Sequence, residues 1–216
     1  MDLEWLKEIG TTLGVVIFVL AVTMKTFCTK FNEYMKNSKE SISRNIKAQS
    51  SIDCEIVDEM EKIKDILEAD RVQIYDFHNG LHYANGRSAS KLTCTYEVCR
   101  YGVNSALNSL SGVPISCLPT FVKTLLDNGK LFVDDLEQLK DTMPATYNFK
   151  KSMNITSFYD MVFYDKNHDP VGFIAIQFCD GKKHKINEEV IQKFVWFVES
   201  KLLESLELER PDKKKK

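Results

Sequence analysis

Proline and glycine are scarce, at 5 and 9 of 216 residues. That excludes a collagen-like or low-complexity disordered chain. Neither sign of charge dominates: 29 Lys+Arg stand against 31 Asp+Glu. The basic excess or stripe that a nucleic-acid binder needs is therefore missing. The six cysteines (Cys28, Cys54, Cys94, Cys99, Cys117, Cys179) include no CxxC pair. Cys94 and Cys99 lie nearest to one another, and C-x4-C without a second pair is a poor zinc template. Such thiols fit small buried hydrophobes. No Walker loop, G-x-S-x-G elbow or spaced carboxylate pair is present either. The expectation is a non-enzyme with no cofactor and no metal. What is there, 44% hydrophobic residues in a chain of this length, suffices for one domain with a sizeable core plus some appended helix.

The charge is spread unevenly. Ile9 to Met24 is a run of sixteen residues with none. As a helix it covers roughly 24 Å, short of the ~30 Å hydrocarbon slab. Trp5 and Leu6 before it, and residues 26–29 after it, make up the difference if Lys25 snorkels to the headgroups. A transmembrane anchor over residues 1–29 is the expectation. A cleaved signal peptide competes, but the leader MDLEWLKE is acidic and no A-x-A-like site follows the run. A buried core helix would need a partner core that the following residues do not offer. Gly10 and Gly14 form a G-x-x-x-G pair with Ala21 two turns on, a pattern that favours lateral self-association in lipid. Residues 25–49 carry six bases and two acids, so the positive-inside rule places the C-terminal part in the cytoplasm.

From residue 30 to 68 the chain lacks both proline and glycine and is expected to be a helical stalk. Met35, Ile42, Gln49, Ile56 and Ile63 recur every seven residues, with Ile46, Met60 and Leu67 on the adjoining stripe. That repeat suits a coiled coil between chains. Equally, the second half could pack on the domain that follows, and both arrangements stay open. Residues 69–208 then alternate strand and helix signals. Strands are expected at Arg71–Phe77, Lys91–Cys99, Leu131–Val133, Ser157–Tyr164 and Val171–Phe178. The second of these alternates Leu92, Cys94, Tyr96 and Val98 against Lys91, Thr93, Thr95 and Glu97. Helices are expected at Phe121–Asp127 and Asn187–Leu208, the latter capped by Asn187. Residues 209–216 form a charged tail. An antiparallel sheet with helices flanking it is an α+β arrangement.

The run SFYDMVFYDKNHDPVGFIAIQFCDGKKHKINEEVIQKFVWFVESKL (Ser157–Leu202) resembles the last third of a GAF domain: strand, turn, strand beginning near a glycine (Gly172), and capped amphipathic helix. Arg71–Phe77 fits the first strand of that family. The resemblance implies a GAF/PAS-like fold, while the N-K-…-F-…-D-E signature of cyclic-nucleotide binders is absent. A second resemblance spans nearly the whole chain: one span, FNEYMKNSKE, a helix ending EADRVQIYDF, and the GAF-like close. This layout is similar to the T-type (class III) holins of T-even-like tailed phages, although the acidic leader of eight residues departs from theirs. That resemblance implies a single-pass protein of the host inner membrane that self-associates in membrane lipid to permeabilise it for lysis.

The densest polar cluster is FHNGLHYANGR (Phe77–Arg87). Two turn dipeptides, Asn79–Gly80 and Asn85–Gly86, leave His78, His82, Tyr83 and Asn85 in a hinged loop. In a GAF-like fold the end of the first strand lies near the ligand pocket. His78, Asn79, His82, Tyr83, Asn85, Tyr96 and Glu97 are therefore the candidate ligand-binding residues. The bland alternative is a loop whose asparagines satisfy its own backbone. A metal site at His78 and His82 would need a helix that Asn79–Gly80 argues against. Two functions compete: the holin, gated by its C-terminal domain, and a membrane-tethered GAF-type sensor of a small ligand or regulatory protein.

Overall fold

The computed structural model describes residues 4–82, 86 and 88–209; for 4–19, 21, 22, 37–44, 81 and 206–209 it describes the backbone alone. The chain divides into two compact units, Met1–Gln49 and Ser50–Lys216. One helix, α1 (Glu4–Ile66), supplies the first unit and enters the second.

The anchor expected over residues 1–29 is overturned. Among the described residues, no helix is long and apolar enough to cross a membrane. The physical reason lies in the run itself. Its sixteen uncharged residues cover roughly 24 Å as a helix, short of the ~30 Å hydrocarbon slab. The helix also does not stop at a polar boundary but continues through Lys25 and Lys30. The single-pass, inner-membrane placement falls with the span. The side chains at Gly10, Gly14 and Ala21 lie outside the described residues.

The second unit is built on a six-stranded antiparallel sheet. Its strands are β1 (Arg71–His82), β2 (Ser88–Cys99), β3 (Val113–Pro114), β4 (Lys130–Val133), β5 (Ser157–Tyr164) and β6 (Pro170–Phe178), in the order β3-β2-β1-β6-β5-β4. Both edges are short strands, which limits unwanted pairing. Between strands run α2 (Pro119–Asn128), α3 (Pro144–Ser152) and several 3-10 turns; α4 (Glu188–Glu209) closes the unit. Pro119 and Pro144 each open a helix where no backbone donor is lost. Gly129 ends α2 in the left-handed conformation, φ 71°. Asn187 accepts from the Val190 N–H at 3.4 Å to start α4. Gly172 is required by close approach, because a Cβ there would sit 2.1 Å from the Tyr75 carbonyl oxygen.

Each face of the sheet carries a core. On the first, Ile52, Ile56, Met60 and Ile63 of α1, with Leu67 in the turn after it, join Ile191, Phe194, Val195 and Val198 of α4 over Val72, Ile74, Ile174 and Ile176. The second half of the seven-residue repeat thus packs on its own domain. α4 is covered by the sheet and, across the Lys201–Glu55 ion pair at 2.6 Å, by α1. On the second face, α2, α3 and the 3-10 turns cover Tyr75, Leu92, Cys94, Phe158, Val162, Phe173 and Ala175.

A β-bulge corrects the alternation expected for β2. Ile74 pairs with Tyr96 but Tyr75 pairs with Cys94, so Thr95 is the extra residue. Leu92 and Cys94 enter the second core, whereas Tyr96 and Val98 pack on the first. Beyond the bulge Glu97 turns inward, its side chain only 2% exposed.

Candidate functional site

The second face holds the buried long polar side chains. Arg71 and Gln73 share the inward side of β1 with Tyr75, and Gln177 shares that of β6 with Phe173 and Ala175. Arg71 is held by both hydrogen bonds and an ion pair. Its Nε lies 3.3 Å from Glu97 Oε1, one terminal nitrogen donates to Gln177 Oε1 at 3.1 Å, and the other donates to the Asn104 carbonyl at 2.6 Å. Gln73 donates to Glu97 at 2.8 Å and accepts from Tyr75 and Gln177 at 2.8 and 2.7 Å. Burial pushes the Tyr75 hydroxyl pKa well above its ordinary value, so Tyr75 acts as a donor.

Glu97 is the hub. It accepts from the Ala106 N–H at 3.1 Å, the Leu107 N–H at 3.3 Å and the Ser105 hydroxyl. One carboxylate thereby clamps the backbone that follows β2, and Arg71 clamps the same segment through Asn104. At the strand ends, Asp70 holds Arg100 at 2.7 Å and accepts from the Cys179 N–H at 2.6 Å.

A cleft of about 320 Å³ opens beside this clamp, walled by Arg71, the 102–106 segment, Ser109, Ser152–Asn154 and Cys179. That is the small end of the range for ligand sites. Deeper on the same face, Lys150 of α3 donates to Asp160 of β5 at 2.9 Å, both fully enclosed. The ammonium lies 4.0 Å from the Phe158 ring centre. Burial holds Lys150 below its usual pKa and Asp160 above, and their attraction opposes both shifts. The hollow there, between Tyr75, Phe121, Phe149 and Phe173, is about 10 Å³, room for nothing larger than a water. A larger hollow of about 850 Å³ runs along α4, past Trp196 and Tyr164. Its Lys130–Glu188 and Lys193–Glu189 pairs are exposed to water, and its half-buried Glu199 accepts from the Tyr164 N–H at 2.9 Å.

The residues singled out from sequence do not converge. His78 and Asn79 lie far along β1, opposite Lys91 and Ser90, where His78 Nε2 meets the Thr93 hydroxyl at 2.8 Å. They line a separate hollow of about 310 Å³ with Phe77 and Ile115. His82 is exposed at the strand end. Tyr83 and Asn85 lie outside the described residues. Tyr96 is on the other face, donating to Asp53 Oδ1 at 2.6 Å. Glu97 alone reaches the clamp. Gln73, facing Glu97, is five residues from His78 along β1, about 17 Å of strand. Sequence reasoning missed Arg71, Gln73, Gln177, Lys150 and Asp160. For four of them a signal existed: a polar residue interrupting an apolar strand, as in SFYDMVFY and GFIAIQF. Lys150 lay in a helix not expected at all. Among the described residues, no group of three or more His, Cys, Asp or Glu could hold a metal ion.

Solved structures provide the comparison. The blue-light-absorbing form of the Thermosynechococcus elongatus PixJ GAF domain superposes with a TM-score of 0.55, at 15% identity, covering 77% of this chain and 88% of that one. The domain has a GAF-like fold. A red/green cyanobacteriochrome in its red-light-absorbing state gives a TM-score of 0.56 at 12% identity, over 74% and 99% of the two chains. The phycoerythrobilin-bound GAF domain of a cyanobacterial phytochrome gives 0.50 at 16%, over 77% and 98%. No protein-family model and no curated protein matches the chain. Nothing here supports the holin resemblance. The lysis reading loses its basis along with the span.

Proposed function

We propose that this chain is a GAF-type binding module that senses a small polar ligand and catalyses no reaction. The carrying observation is the double clamp. Arg71 and Glu97, buried on the second face, both grip the 104–107 segment, and that segment is one wall of the 320 Å³ cleft. A ligand in the cleft meets backbone and serine groups at the rim and competes for the same donors and acceptors. Binding therefore changes how firmly the segment is held. The neighbours that bind a chromophore do so on this fold, which supports a ligand-binding role without naming the ligand. Burial pushes the Cys94 thiol up to about 12 and raises Cys99 and Cys179 as well, which argues against these three as nucleophiles.

The test is a thermal-shift screen of the full chain against metabolite-sized polar compounds, run in parallel on Ser152→Trp. Ser152 is exposed at the cleft margin, so the larger side chain fills the cleft without entering the core. The expected result is a compound that raises the melting temperature of the original chain and leaves the variant unmoved. Compounds that stabilise both equally would place binding elsewhere and overturn this site.

A further inference from the structure

The first unit presents an apolar face of its own. Leu20, Met24, Phe27, Phe31 and Tyr34 follow one another at steps of four and three along α1, and each is between 53% and 70% exposed. The Phe27 and Phe31 rings stack one turn apart, 6.2 Å between centres. The same stepping extends back through Leu6, Gly10, Leu13 and Ile17, and forward into Ser38 and Ser41, where it turns polar. From Leu20 to Tyr34 the positions between these steps are mostly polar or charged (Thr23, Lys25, Thr26, Thr29, Lys30, Asn32, Glu33), and an apolar stripe alternating steps of four and three is the signature of a two-helix seam, not of a helix facing water. This seam differs from the repeat ending in Ile56 and Ile63, which the domain's own core absorbs.

We propose that residues 6–34 pair in parallel and in register with the same segment of a second copy of this chain. The pattern is self-complementary. In register, each apolar layer meets its like, and leucine at Leu6, Leu13 and Leu20 occupies the position that favours two parallel strands. Charge placement fits as well. Lys25, Glu33 and Lys36 fall on the outer positions of the heptad. Lys30 flanks the seam, but the positions flanking it on the other side, Cys28 and Met35, are neutral, so no like charges are brought together. The hydroxyls of Thr23, Thr26 and Thr29 donate to carbonyls of their own helix, at 2.9, 2.8 and 2.9 Å, and make no polar demand on the seam. This inference is independent of the ligand reading.

Two measurements on the full chain test it. In a background of Cys28→Ser, Cys54→Ser and Cys117→Ser, which removes the exposed thiols, Phe27→Cys sits in the seam and Thr29→Cys on the outer side. Mild oxidation should cross-link the first into a dimer and leave the second uncrosslinked. Sedimentation equilibrium should give twice the 24.9 kDa chain mass. Met24→Glu with Phe31→Glu should halve that mass while the near-UV circular dichroism of the GAF-like unit stays unchanged. A monomer at every concentration, or equal cross-linking at both positions, overturns the proposal. So does association seen only with added phosphatidylcholine vesicles, the free chain remaining monomeric.

Discussion

The two faces of the sheet are built from the same strands but to different ends. The first buries α1 and α4 residues against Val72, Ile74, Ile174 and Ile176 with scarcely a polar group. The second buries two ionic pairs, Arg71–Glu97 and Lys150–Asp160, within an equally dense set of aromatics. Buried pairs are weak contributors to stability, since desolvation offsets their attraction. The first face is thus held almost wholly by apolar packing, while the second adds buried charge to an apolar core of its own. The second carries groups that stability alone does not demand, and it is the face that borders the cleft.

Lys150→Ala breaks the comparison most severely. It leaves Asp160 a buried, unpaired acid and should lower stability by about 3–5 kcal/mol in urea unfolding. Lys150→Met combined with Asp160→Leu should recover most of that loss, which is the outcome expected if the pair is not there for stability. A double variant as unstable as the single one would make the second face a stability core like the first.

Met60→Ala tests the first face. It should cost about 2–5 kcal/mol by opening a cavity, yet leave amide exchange at Ala106 and Leu107 unchanged apart from global unfolding. Glu97→Gln should cost less, about 1–3 kcal/mol, and speed exchange at those two amides specifically. If Met60→Ala loosened that segment as much as Glu97→Gln does, the faces would not be separable.

The smallest effect concerns pH. His184, 2.8 Å from Asp180, holds that carboxyl down to about 2 from an ordinary 3.8. A depressed carboxyl stabilises the folded state above pH 3.8, and this contribution disappears as pH falls through about 2. Asp180→Asn should therefore lie below the original chain in melting temperature at neutral pH, and the gap should close across that acid window.

Much of the sheet was legible because its strands are apolar runs bounded by turns. Ser157–Tyr164 appears with the expected bounds, and Arg71, Cys99 and Phe178 end strands as expected. α3 was not, because PATYNFKKS has no strong apolar period and its one essential side chain is a lysine. The site was less legible still. Glu97 was singled out as a neighbour of the His78 loop, but a bulge of one residue at Thr95 sends it to a clamp at the far end of the strand. No local pattern announces that slip, because its stabilisation comes from Arg71 and the 104–107 backbone, far away in sequence.

The sequence by itself determined the antiparallel α+β class, the helix over the second half of the stalk and the capped closing helix, since these follow from hydrophobic period and local hydrogen bonding. Only the tertiary structure decided which apolar stripe of α1 meets the sheet and which polar residues turn inward. Those outcomes depend on what each side chain meets once the chain is folded, and contacts between residues a hundred positions apart leave no periodic trace along it.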